Sequence, residues 1–113
     1  IVGRKKEMII SGGENVYPQE VEQCLIAHEA VQEVSVIGVP NEKWGECVVA
    51  FIIVENPSEQ LQHQLFQYCK EQLANYKVPK QIHFLQELPK TAVGKIDKKQ
   101  LIEYILIKKQ NIV

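Results

Sequence analysis

Hydrophobic positions along the chain predict four strands. The stretch CVVAFIIV at residues 47–54 is apolar on both alternate sets of positions, which is typical of a central strand covered on both faces. Shorter apolar runs predict strands at residues 8–10, 34–37 and 81–85. Pro40, with the asparagine after it, is expected to end the strand at 34–37 because proline cannot donate a ladder hydrogen bond.

Three further segments carry apolar residues at helical spacing. We expect a first helix that starts at Pro18 and ends near residues 28–30, a second capped by Ser58, and a third opened by Asp97 with Gln100 three residues later. The positions predicted to face inward are Val21, Cys24, Leu25 and His28 in the first helix, Leu61, Leu65, Phe66, Cys69 and Leu73 in the second, and Leu101, Ile102, Ile105 and Leu106 in the third.

Ser11, Gly12 and Gly13 follow the first apolar run and predict a tight turn that leads into residues 14–17. The fold class is therefore predicted to be α+β, with a small three-stranded sheet, helices on both faces and an N-terminal β-hairpin. The length of 113 residues corresponds to a single domain, residues 1–113.

The composition is that of an ordinary globular domain, with 45% hydrophobic and 24% charged residues. The apolar run at 47–54 is far short of the roughly 20 residues that span a bilayer, so neither a membrane segment nor a signal peptide is expected. Three cysteines without CxxC spacing indicate reduced thiols and a cytoplasmic location. The three histidines are scattered, and we expect no metal ligated by this chain.

The charges are distributed unevenly along the chain. Residues 1–57 carry four Lys or Arg against nine acids, a net charge of −5, whereas residues 58–113 carry nine Lys against five acids, a net charge of +4. Six lysines lie between Lys77 and Lys99. Such a basic tract suits a phosphorylated ligand, and the lack of interleaved aromatic residues disfavours nucleic acid.

The segment PKTAVGK at residues 89–95 lies within this basic tract. Gly94 can adopt backbone angles that other residues avoid, so it could aim Lys95 at an anion. The segment is not a Walker phosphate loop, because Pro89 stands where that motif requires glycine and Ile96 where it requires Ser or Thr. On composition alone, Gly94 could equally be a simple turn residue and Lys95 a solvated charge.

Two motifs resemble those of one family. GRKKEMIISGGENVYPQEVE at residues 3–22 is similar to the hinge and following motif of the adenylate-forming acyl-CoA synthetase superfamily, and PKTAVGKIDKKQL at residues 89–101 is similar to its closing motif. The resemblance is to the small C-terminal domain of these enzymes. Because the chain starts at Ile1 without an initiator methionine, we expect a fragment that lacks the larger N-terminal domain.

The resemblance implies an ATP-dependent acid:CoA ligase. In such an enzyme a carboxylic acid reacts with ATP to give an acyl-adenylate and pyrophosphate, and the thiol of coenzyme A then displaces AMP. Mg²⁺ would accompany ATP without being ligated by this domain. The form of the first motif suggests fatty-acid or aryl-acid ligases, and the fragment alone is expected to be inactive.

The resemblance also implies residue roles. Lys95 matches the lysine that acts in adenylation, Lys6 the hinge within residues 4–7, and Arg4 an arginine near the nucleotide. Gly12 and Gly13 match the glycines that line the coenzyme A tunnel after the small domain rotates. Further residues implied near coenzyme A are Glu14, Trp44, Tyr76 and Lys80.

Other interpretations remain open from the residues alone. Trp44 could be a core or rim aromatic residue, and Lys77, Lys80, Lys98 and Lys99 could be plain surface charges. The domain could also be a non-catalytic module that binds coenzyme A or a carrier protein. Nucleic-acid binding through the lysine tract is a third hypothesis, which predicts steeply salt-dependent affinity.

Overall fold

A computed structural model describes residues 8–43 and 45–111, and within these residues five strands form one mixed sheet. In chain order the elements are β1 (Ile9–Ser11), β2 (Glu14–Val16), α1 (Pro18–Ile26), β3 (Val31–Asn41), β4 (Gly45–Val54), α2 (Glu59–Gln72), a 3-10 turn (Asn75–Lys77), β5 (Gln81–Phe84) and α3 (Lys98–Asn111). The predicted α+β class with an N-terminal hairpin is confirmed. The predicted sheet of three strands was too small, because β1 pairs with β4 and so joins both strands of the hairpin to the sheet.

Strand β4 organises the sheet, as its continuous apolar sequence predicted. β3 pairs antiparallel with it along its whole length, from Asn41 opposite Gly45 to Val31 opposite Val54. The other edge of β4 pairs first with β1, through Ser11 and Gly45, and then in parallel with β5, from Val49 to Ile52. The backbone groups of this buried strand are therefore hydrogen-bonded on both sides.

Both faces of β4 are buried, against different helices. Val48, Ala50, Ile52 and Val54 belong to a first core with residues of α1 and α2, among them Val21, Leu25, Leu65 and Cys69. Cys47, Val49, Phe51 and Ile53 belong to a second core with Leu88 and with Leu101 and Ile105 of α3. The two cores confirm the prediction of helices on both faces of the sheet.

The predicted helix starts are confirmed. The Ser58 hydroxyl accepts a hydrogen bond from the backbone N–H of Leu61 at 3.0 Å, and Asp97 accepts from the backbone N–H of Gln100 at 3.3 Å. Each cap satisfies one of the N–H groups that a first helical turn leaves unpaired. Asp97 also accepts from the Gln100 side chain at 3.2 Å.

Three details of the predicted elements were wrong. Helix α1 ends at Ile26, before the expected residues 28–30, and the His28 ring instead accepts a hydrogen bond from the Ala30 N–H at 3.1 Å. Pro40 does not end β3, because β3 lies at the edge of the sheet, where a missing N–H is tolerated. Leu106 does not face inward and is 43% exposed, since Leu101 and Ile105 already define the face of α3 that packs on the sheet.

None of the helices in the described part of the chain is long and apolar enough to cross a membrane. Among the same residues, no three His, Cys, Asp or Glu side chains are grouped so that they could hold a metal ion.

Candidate functional site

The β1–β2 hairpin carries the two adjacent glycines at its tip. Gly12 and Gly13 have φ values of +59° and +83°, and Ser11 pairs with Glu14 on either side of them. Positive φ at both central residues of a two-residue loop is the type I′ turn, which matches the twist of the flanking strands and strongly favours glycine. A Cβ atom built on Gly13 would meet nothing within 4 Å, so the space over the turn is open.

The turn between β3 and β4 lies beside this glycine tip. Asn41 pairs with Gly45, which in turn pairs with Ser11. An open depression of about 730 Å³ is lined here by Pro40, Asn41, Glu42, Lys43 and Gly45. Trp44, for which the family resemblance implies a place near coenzyme A, follows Lys43 in the sequence and lies outside the described residues.

The segment from Asn75 to Lys80 lies along the same edge of β4 as the glycine turn. The Lys80 N–H donates to the Val48 carbonyl at 2.7 Å, just before β5 begins. Because Val48 is three residues from Gly45, about 10 Å along a strand, Lys80 lies near the end of β4 that holds the hairpin. Tyr76, in the 3-10 turn, is 37% exposed.

Two lysines in this segment have distinct surroundings. Lys77 donates to the Glu20 carboxylate at 2.8 Å, and this hydrogen bond raises the pKa of the Lys77 ammonium group. Lys77 is thus engaged in holding the 3-10 turn against α1. Lys80 lines an open depression of about 370 Å³ together with the apolar residues Phe66, Val78 and Pro79.

Lys95 lies in a second tight hairpin. Lys90 and Ile96 form an antiparallel bridge, the Gly94 N–H donates to the Thr91 carbonyl at 2.9 Å, and the Thr91 N–H donates to the Lys95 carbonyl at 2.7 Å. Gly94 has a φ of +86°, which confirms the expectation that it takes a conformation favouring glycine. The pattern is a turn followed by a left-handed residue, and it leaves Lys95 exposed.

The Lys95 hairpin is fastened to the domain at its base. Leu88 is buried in the second core, and the Asp97 N–H donates to the Pro89 carbonyl at 2.8 Å. Lys90 forms an exposed ion pair with Glu33 of β3 at 3.4 Å, which by itself contributes little stability. The base is therefore held mainly by core packing and by the backbone bond that precedes α3.

The two hairpins lie at opposite ends of β4. The glycine turn is next to Gly45, whereas the Glu33 partner of Lys90 is opposite Ile53. Eight residues separate Gly45 from Ile53, which corresponds to about 26 Å along a strand. The glycine turn and the segment carrying Tyr76 and Lys80 thus lie toward one end of β4, and the base of the Lys95 hairpin lies toward the other.

Three predicted site residues lie outside the described residues, namely Arg4, Lys6 and Trp44. Glu14 is described, and it is an exposed residue at the start of β2. One contact at the glycine hairpin was not anticipated: the Glu46 carboxylate accepts a hydrogen bond from the Ile10 N–H at 2.9 Å. No local signal in the sequence points to this contact, because the two residues are 36 positions apart.

The sequence model of one protein family, the AMP-binding enzyme C-terminal domain, matches residues 20–95. This match covers most of the chain, and the chain belongs to that family. It is also 48% identical over 103 residues to a long-chain-fatty-acid–CoA ligase of Bacillus subtilis, and 47% identical over 103 residues to a 2-succinylbenzoate–CoA ligase of Listeria monocytogenes. These matches cover 91% of this chain but only 18% and 22% of the relatives.

Solved structures agree with this assignment. The chain resembles a Mycobacterium tuberculosis fatty acyl CoA synthetase with a TM-score of 0.80 and 48% identity, covering 89% of this chain and 20% of that one. It resembles the o-succinylbenzoate CoA synthetase of Bacillus subtilis, solved with the acyl-adenylate intermediate OSB-AMP, with a TM-score of 0.79 and 42% identity. That match covers 88% of this chain and 20% of the synthetase, so the chain spans about a fifth of the proteins it resembles.

Proposed function

We propose that the chain is the mobile C-terminal domain of an ATP-dependent acid:CoA ligase. In this proposal Lys95 serves the first half-reaction, adenylation of the acid, and the Gly12–Gly13 turn serves the second, thioester formation. The observation that carries it is that the glycine turn adjoins Gly45 at one end of β4, whereas Glu33, the ion-pair partner of Lys90, lies opposite Ile53 near the other end. This placement supports a domain that presents the two hairpins to one pocket in turn, by rotating between the two half-reactions.

Lys95 is suited to the first half-reaction as an exposed point charge on a fixed loop. A carboxylate oxygen of the acid bonds to the α-phosphorus of ATP, and the bond to pyrophosphate breaks. A positive charge that is already positioned offsets the negative charge developing at the phosphorus centre without any reorganisation. Mg²⁺ would enter with ATP, and we assign it no ligand in this domain.

The glycine turn is suited to the second half-reaction because it has no side chains. The coenzyme A thiol attacks the acyl carbonyl carbon and AMP leaves, which requires a narrow path for the pantetheine arm. Gly12 and Gly13 both have positive φ, and Gly13 faces open space into which a larger side chain would project. We assign contacts with coenzyme A to Glu14, Trp44, Tyr76 and Lys80, of which Tyr76 and Lys80 lie in the segment beside the hairpin.

The partner of this domain in the proposal is the large N-terminal domain of the same protein, with the hinge at Lys6 and the nucleotide near Arg4. Two relatives, a long-chain-fatty-acid–CoA ligase and a 2-succinylbenzoate–CoA ligase, support a carboxylic acid as the further substrate. The free thiols of Cys24, Cys47 and Cys69 are compatible with the reducing cytoplasm, where we place the reaction.

A chimera tests the proposal, with this chain replacing the matching segment of the Bacillus subtilis long-chain-fatty-acid–CoA ligase. Lys95→Ala should lower ATP–pyrophosphate exchange by about 100- to 1,000-fold, the range seen when one stabilising group is removed from a transition state. Conversion of supplied acyl-adenylate and coenzyme A to thioester should be nearly unchanged. Gly13→Ala should show the reverse pattern.

Lys99→Ala is the matched control, since it removes an exposed lysine four residues further on and should affect neither half-reaction. Equal losses of both half-reactions in Lys95→Ala would contradict the assignment of Lys95 to adenylation alone. The 113-residue chain alone should show no pyrophosphate exchange, and turnover by it would refute the need for the larger domain.

A further inference from the structure

The glycine hairpin has a narrow connection to the sheet. Within the described residues, Ser11 with Gly45 is the one register pair between β1 and β4, whereas β3 pairs with β4 over ten positions. The backbone attachment of the hairpin is therefore short, and the buried side chains of Ile9 and Val16 add packing against the first core. A hairpin of three-residue strands is also too short to be stable without other support.

Glu46 supplies a second attachment. Its Oε1 accepts a hydrogen bond from the Ile10 backbone N–H at 2.9 Å. Glu46 follows Gly45 on β4 and Ile10 precedes Ser11 on β1, so the carboxylate extends the contact between the strands beyond the last register pair. A hydrogen bond to an ionised carboxylate is stronger than one between two neutral groups.

Gly38 provides the room for this contact. A Cβ atom on Gly38 would lie 2.9 Å from Glu46 Oε2, 2.9 Å from Ile9 Cγ1 and 3.1 Å from Ile9 Cγ2. Gly38 does not have a positive φ, so glycine is needed here for close approach. The bare backbone of β3 thus leaves a slot that holds the carboxylate of Glu46 and the buried side chain of Ile9.

We infer that Glu46 is a positioning residue for thioester formation, which fixes the β1–β2 hairpin, and with it the Gly12–Gly13 turn, in the orientation that the coenzyme A thiol requires. The inference rests on the proposed function of that turn. Glu46 acts through the backbone N–H of Ile10, which lies two residues before Gly12. The Lys95 hairpin is at the other end of β4, so adenylation does not depend on this contact.

The experiment uses the chimera described above and measures the two half-reactions separately. Glu46→Ala should lower kcat/KM for coenzyme A by about 10- to 100-fold, the range expected for losing a hydrogen bond to a charged group, with pyrophosphate exchange unchanged. Glu46→Gln keeps an oxygen acceptor of the same reach and should restore kcat/KM to within a few-fold of the parent.

Two further variants separate positioning from general stability. Gly38→Ala keeps the Glu46 residue but adds a methyl group where its carboxylate lies. This variant should therefore show the same loss of kcat/KM for coenzyme A as Glu46→Ala. Glu55→Ala removes an exposed acid beyond the other end of β4 and should change neither half-reaction. Hydrogen exchange read by mass spectrometry should accelerate in Glu46→Ala at residues 8–17 and remain unchanged at residues 47–54.

The outcomes distinguish this inference from the proposed function. If Gly13→Ala impairs the coenzyme A step and Glu46→Ala does not, the assignment of Glu46 is wrong and the role of the turn stands. If Gly13→Ala has no effect, the proposed role of the turn fails and the assignment of Glu46 falls with it. Equal loss of both half-reactions in Glu46→Ala, with faster exchange throughout the domain, would reduce Glu46 to a general stabilising residue.

Discussion

Phe51 offers a quantitative test of how α3 is held against the sheet. Its side chain is 0% exposed at the centre of β4, in the second core with Leu101 and Ile105. The ring stacks on His83 with centroids 5.5 Å apart and meets Tyr104 edge-on at 5.9 Å. Since α3 begins directly after Asp97, the packing of this ring also supports the base of the Lys95 hairpin.

Phe51→Ala should lower the free energy of unfolding by about 4 kcal/mol, within the range of about 3–5 kcal/mol measured for buried Phe→Ala changes. The two aromatic contacts, at about 0.5–1.5 kcal/mol each, favour the upper part of that range. Small domains are stable by about 5–15 kcal/mol, so the variant should be close to unfolding. The corresponding fall in Tm is about 16 °C, at ~4 °C per kcal/mol for a domain of this size.

Urea unfolding of the 113-residue chain, followed by circular dichroism, measures the loss. Phe51→Leu retains an apolar side chain and should cost only about 1 kcal/mol, and Val93→Ala, at a position that is 80% exposed, should stay within about 0.5 kcal/mol of the parent. A loss below about 1.5 kcal/mol for Phe51→Ala would refute the packing of this ring between the sheet and α3.

Two further predictions concern buried polar groups. The Ser35 hydroxyl is buried without a hydrogen-bond partner in the described part of the chain. Ser35→Ala should therefore raise the free energy of unfolding by about 1 kcal/mol and shift the urea midpoint upward. A lower midpoint would mean that the hydroxyl is paired. Burial raises the pKa of the Cys69 thiol to about 12, against 9.0 when unperturbed. The unfolded chain therefore loses this proton first, and stability should fall by up to about 1.4 kcal/mol per pH unit between these values. Cys69→Ala should flatten that slope in urea unfolding at pH 9–11, and an unchanged slope would contradict the burial of the thiol.

Local features of the fold could be predicted because a few neighbouring residues determine each of them. The continuous apolar run of β4 indicated burial on both faces, Ser58 and Asp97 indicated helix starts, and adjacent glycines indicated a type of turn that tolerates positive φ. Each of these signals acts over at most a few residues. The structure confirms all of them.

Features that depend on distant residues could not be predicted in the same way. Pro40 was expected to end β3, but its effect depends on β3 being an edge strand, which is decided by which strands pair. Leu106 has suitable helical spacing, yet only the sheet beneath α3 decides which side of the helix is covered. The contact between Glu46 and Ile10 joins residues 36 positions apart, and no local pattern encodes it.

The same limit applies to the candidate site. The two sequence motifs identified the glycine turn and Lys95 as candidate site residues. The order of the two motifs along the chain does not determine how far apart these residues lie in space. That separation follows from the pairing of β4 with β1 at one end and with β3 near Glu33 at the other.

The placement of Pro40 on the outer strand has a consequence for self-association. An exposed strand edge is a template on which another chain can pair, and the eight apolar residues of β4 would be the most hazardous segment to leave open. In this domain both edges of β4 are covered by neighbouring strands, and β3 is an edge strand instead. That strand has Pro40 near one end and an irregular register between Val31 and Glu33 at the other, and both interrupt the regular ladder that an incoming strand would need.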